Sequence, residues 1–68
     1  MTVAAQVKQT IASLKGARST LETFSSIEQN AKTKELLEKS HQKISHVIDN
    51  LEQRVKVLEF EEPQYKGF

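Results

Sequence analysis

Seven residues in the second half of this chain, Leu37, His41, Ile44, Ile48, Leu51, Val55 and Leu58, follow one another at alternating intervals of four and three. At about 100° per residue, that alternation holds all seven on one side of an α-helix for roughly six turns. A strand would throw successive members to opposite faces. The row therefore predicts a long helix with one buried stripe. Six of its members are aliphatic, and His41 is the one place where packing and chemistry meet.

The first half carries a matching row. Val3, Val7, Ile11, Leu14, Leu21, Phe24 and Ile27 recur at helical spacing with Ala17 on the same side, which predicts a first helix over residues 3–27. Thr2 is placed to cap its free amides. The second helix is expected to start near Asn30–Thr33, capped by one of those two residues, and to run to about Phe60, with Pro63 as the stop. Both helices come out at about 26–28 residues, or roughly 40 Å. Similar lengths favour an antiparallel hairpin in which the stripes cover each other. Residues 25–32 contain no Gly or Pro, so one continuous helix is the competing arrangement. Gly16 interrupts a helical run at a cost of about 1 kcal/mol relative to Ala; beside Ala17, its expected role is to let a neighbouring helix come close.

Size then bears on assembly. The chain has 68 residues, 37% of them hydrophobic and 6% aromatic, with no Cys. A chain of that length without disulfides needs a very regular core or a partner. The expected architecture is all-α: one domain over 1–68, a two-helix hairpin that dimerises into a four-helix bundle. The packing residues are Val7, Leu14, Leu21, Phe24, Leu37, Ile44, Ile48, Leu51, Val55 and Leu58. Residues 61–68 form a tail, and Phe60, Tyr65 and Phe68 are expected to fold back over the bundle end or to dock a partner. A formal charge of +1 gives no basic field for nucleic acid. No apolar run is long enough to span a bilayer, and no secretion signal is visible at the N-terminus, so cytoplasmic residence is the expectation.

Reactive chemistry has little to build on. Gly16 and Gly67 are the only glycines, too few for a phosphate-binding loop, and no supported Ser–His–Asp set is present. Neither an enzyme nor a cofactor is expected. Glu38 stands three residues before His41, a spacing used in carboxylate-bridged metal bundles. Folding the chain about residue 31 sets position 41 opposite position 21, near Glu22. A dimer would then hold two copies of Glu22, Glu38 and His41, an inventory suited to iron or manganese. The plainer reading takes His41 as a packing or bundle-end residue, since a Glu three before a His arises easily in helices of this composition. His46 is expected in solvent. Glu35–Lys39 and Glu52–Lys56 are four apart in the favourable order, and Glu28 is close to Lys32. Lys32, Lys34, Lys39 and Lys43 make a modest basic patch near the turn.

The segments Val7-Lys8-Gln9-Thr10, Leu14-Lys15-Gly16-Ala17, Thr20-Leu21-Glu22 and Glu61-Glu62-Pro63-Gln64-Tyr65-Lys66-Gly67 together resemble a short bacterial family of endospore-forming Firmicutes, domain of unknown function 1657. The resemblance spans nearly the whole chain, and its tail is the most specific part. It implies a small cytoplasmic or spore-associated protein with an accessory or structural role. The resemblance brings no catalytic residues with it. An alternative reading of the chain is a coiled-coil adaptor that lays an open apolar groove on a larger spore or membrane protein.

Overall fold

The computed structural model describes residues 2–61, which form two α-helices, α1 (Val3–Ile27) and α2 (Ala31–Glu61). They lie side by side as an antiparallel hairpin in a single layer, with extents of 51 × 16 × 11 Å. The continuous-helix arrangement is excluded: residues 28–30 reverse the chain.

Both helix starts are capped by side chains. Thr2 adopts an extended backbone and its Oγ1 accepts from the Ala5 N–H at 3.1 Å. At the far end of α1, Glu28 leaves the helix at ψ 129°, while its N–H still donates to the Phe24 carbonyl at 3.0 Å. The reversal needs no glycine because two polar side chains organise it. The Glu28 carboxylate accepts from the Asn30 N–H at 3.0 Å, and Asn30 Oδ1 accepts from the Thr33 N–H at 3.0 Å. Asn30 is thus the cap of α2, with Thr33 as the residue it serves. Glu28, expected beside Lys32, is engaged in the turn instead. At 31 residues, α2 is longer than the sequence predicts and runs through Glu61, there being no breaker before Pro63. Pro63, Tyr65, Phe68 and the expected fold-back of the tail lie outside the described residues.

The stripe on α2 faces α1 as its spacing predicts. Ile48 is 1% exposed, Val55 and Leu58 are buried, and Leu37, His41, Ile44 and Leu51 are half-buried. The row on α1 differs from the expected one. Ala4, Ile11 and Ser25 are buried, while Val7, Leu14, Arg18 and Leu21 are half-buried. These seven residues alternate by three and four, as on α2. Val3, Phe24, Ile27 and Ala17, expected on the packed side, are exposed; Phe24 is 51% and Ile27 69% accessible. The difference is one of phase. Hydrophobicity picks out Phe24 and Ile27, but a straight row carried forward from Ile11 and Leu14 arrives at Arg18 and Ser25. Small Ser25 fits where the helices converge on the turn, and Arg18 lays its stem along α2 and donates to Ser45 Oγ at 3.4 Å. Gly16 points away from α2, and a Cβ built there would meet nothing within 4 Å. Close packing within the hairpin is therefore not its role.

Candidate functional site

The hairpin has two unlike sides. On the first, Lys8 Nζ lies 2.6 Å from Glu59 Oε2 and Lys15 Nζ 3.2 Å from Glu52 Oε2. The members of each helix are seven residues apart, so the pairs repeat every two turns. Glu52, expected to pair with Lys56 on its own helix, reaches across the layer instead. The local pair Glu35–Lys39 does form, at 3.0 Å. Continuing along that side toward the turn, His41 Nε2 lies 3.9 Å from Glu22 Oε2.

Glu22, Glu38 and His41 line one open depression of about 410 Å³ together with Ser25, Ser26, Lys34 and Gln42. The fold therefore brings the three suggested metal ligands to one place. It does not arrange them as a metal site: among the described residues, no group of three His, Cys, Asp or Glu side chains is placed to hold a metal ion. Glu22 is largely exposed, and Lys34 supplies a cation to the same depression. His46 is exposed, as expected.

The second side is uncharged along α1, while along α2 it carries Lys43 and Arg54. Viewed down either helix, the ion-paired residues lie about 70° to one side of the centre of the buried row. Residues five positions earlier, 3, 10 and 17 on α1 and 36, 47 and 54 on α2, lie about 70° to the other. Four of the large exposed hydrophobics lie on this second side, Val3 and Phe24 from α1 and Leu36 and Val47 from α2, while Ile27 and Val57 are exposed on the outer faces, roughly 150–170° from the buried row. Phe60, 84% exposed on the outer face of α2, is the seventh large exposed hydrophobic. The half-buried residues Val7, Leu14, Leu21, Leu37, Ile44 and Leu51 border the same side, whereas Ala4, Ile11, Ile48 and Val55 are buried beneath the ion-paired flank. Leu58 is the one buried member of the bordering row.

Charge is distributed in the same sense. Helix α1 contains four charged residues, and all four turn toward α2: Lys8 to Glu59, Lys15 to Glu52, Arg18 to Ser45 and Glu22 to His41. Its remaining surface carries no charge. Helix α2 holds twelve charged residues, of which Glu52 and Glu59 reach across to α1. Sequence reading by apolar stripe missed the Lys–Glu rungs and the apolar role of Leu36 and Val47. The seven-residue spacing shared by Lys8–Lys15 and Glu52–Glu59 carries the signal for the rungs.

Among the described residues no helix is long and apolar enough to cross a membrane. The model of the family "Protein of unknown function (DUF1657)" matches residues 7–55, and the chain belongs to that family. The specific tail motif lies outside the matched residues. No curated protein and no solved structure matches the chain.

Proposed function

We propose that this protein works by association and not by catalysis: it is a small structural or interaction element whose hairpin pairs with a second copy to form a four-helix bundle. The observation that carries the reading is that four of the seven large exposed hydrophobics among the described residues, Val3, Phe24, Leu36 and Val47, lie on one side of a single-layer fold beside a row of half-buried aliphatics. Isolated apolar side chains on a surface are ordinary, but a contiguous set bordered by half-buried aliphatics is the mark of a covered face. A layer two helices wide cannot cover its own faces, and the chain has no disulfide to compensate. The resemblance to the spore-former family supports placing this element in the cytoplasm of sporulating cells, beside a spore or membrane-associated assembly.

Sedimentation of the full chain over a range of concentrations tests the reading. A species of twice the 7.7 kDa chain mass is expected, reverting toward monomer when Leu21 or Leu51 is replaced by a charged residue. A helical monomer at every concentration would refute self-association and leave the open side for an unlike protein, the adaptor arrangement.

A further inference from the structure

We infer that the two copies meet through the open side with α1 against α1, antiparallel, in a register centred on Ser13 and Leu14. The inference rests on the self-association proposed above and adds the face, the partner helix and the register.

Charge narrows the choice of face. A two-fold contact sets a patch against its own copy, so any charge on the patch meets itself. Lys8 and Lys15 are already neutralised across the layer by Glu59 and Glu52. Helix α2 carries Lys43 and Arg54 on its open side and Lys32, Lys39, Asp49 and Lys56 on its outer face. From Val3 to Ile27 the open side of α1 bears no charge, and it is the helical face here that tolerates self-contact without like-charge repulsion.

Side-chain size then selects the register. Small residues, Thr10, Ser13 and Ala17, occupy the middle of this side of α1, and large ones, Val3 and Phe24, stand toward its ends. In an antiparallel pair centred on Ser13 and Leu14, Ala17 lies level with Thr10 of the second copy and Phe24 with its Val3. The exposed ring of Phe24 then covers an exposed valine, while small side chains fill the narrow middle where the axes are nearest. A parallel pair would stack Phe24 on Phe24 and leave each valine facing only its own copy.

Two further observations agree. The threonine hydroxyls on this side donate within their own helix, Thr10 to the Gln6 carbonyl at 3.1 Å and Thr20 to the Gly16 carbonyl at 3.2 Å. Covering them therefore leaves no hydroxyl proton without an acceptor. The available area is also sufficient. A side roughly 38 Å long and about 20 Å wide, two helices across, offers on the order of 800 Å² per copy, the share of a standard stable interface.

The chain lacks cysteine, so single cysteines report position cleanly. Ser13→Cys puts a thiol at the centre of the register, and Ser19→Cys puts one on the other flank of the same helix. Mild oxidation of the full chain at a concentration where the wild type is dimeric should link S13C into a covalent dimer and leave S19C monomeric under denaturing conditions. Ala17→Glu, at an exposed position inside the hairpin, should raise the dimer dissociation constant by about 100-fold or more, two buried carboxylates being set against apolar surface. A dimeric wild type in which S19C links and S13C does not, or in which neither links, overturns this interface while self-association stands. A wild type that is monomeric throughout overturns self-association itself.

Discussion

His41 occupies a position in the α2 row that six aliphatic side chains otherwise fill, and its surroundings explain why it can. The ring is 33% exposed near the turn, with Nε2 3.9 Å from a Glu22 carboxylate that is mostly in solvent. At that separation no hydrogen bond forms, and an exposed pair of this kind contributes little to stability. Leucine at the same position would make the row aliphatic throughout, from Leu37 to Leu58. His41→Leu is therefore expected to raise unfolding stability by about 1 kcal/mol through added apolar burial, read as a higher urea midpoint with unchanged slope; a loss of stability would show that the imidazole holds a contact the hairpin needs. Gly16 calls for the same kind of reasoning. With nothing within 4 Å of a built Cβ, the residue carries only its entropic cost inside a helix. Gly16→Ala should stabilise the hairpin by up to about 1 kcal/mol, checked by thermal unfolding, and an unchanged or lower midpoint would mean that the outward face of α1 is more closely covered than its proposed neighbour requires.

At the scale of the elements, the turn shows how polar side chains replace the usual breakers. Glu28 fixes the Asn30 N–H and Asn30 fixes the Thr33 N–H, so the chain stops one helix and starts another within three residues. Asn30→Ala removes the α2 cap and should cost about 1 kcal/mol, while Thr33→Ala, whose backbone N–H alone is used, should cost much less. Equal losses from the two variants in chemical denaturation would contradict the assignment of the cap. How legible the elements were from sequence depended on how apolar their rows are. On α2, strict four-three spacing of aliphatic residues set both the helix and its buried side. On α1 the helix and its Thr2 start were equally readable, but its phase was not. Ala4, Arg18 and Ser25 occupy row positions without looking hydrophobic, and Phe24 and Ile27 look hydrophobic without occupying them. Extending the row in sevens from Ile11 reaches Ala4, Arg18 and Ser25 directly. The metal suggestion divides in the same way: opposing positions 22 and 41 was correct geometry, but spacing alone carries no information on whether donor atoms converge.

For the whole molecule, the governing fact is thickness. Two helices in one layer 11 Å deep leave each side chain covered by at most one neighbouring helix, and among the described residues only Ile48 of the large side chains is fully buried. A hairpin of this kind has little stability of its own; in the proposed dimer, covering the open side couples folding to assembly. The consequence is a stability that depends on concentration, because mass action favours the folded dimer over two unfolded chains. Raising the protein concentration by about a hundredfold is worth roughly 2.7 kcal/mol per dimer, which for two chains of this size moves the thermal midpoint up by about 10 °C. Circular dichroism melts of the wild type across that range should show the shift, and melts of Ala17→Glu should lose most of it while starting from a lower midpoint. A wild-type midpoint that stays fixed over the whole range would mean that the single layer folds alone, and that the open side bearing Val3, Phe24, Leu36 and Val47 remains uncovered in the isolated protein.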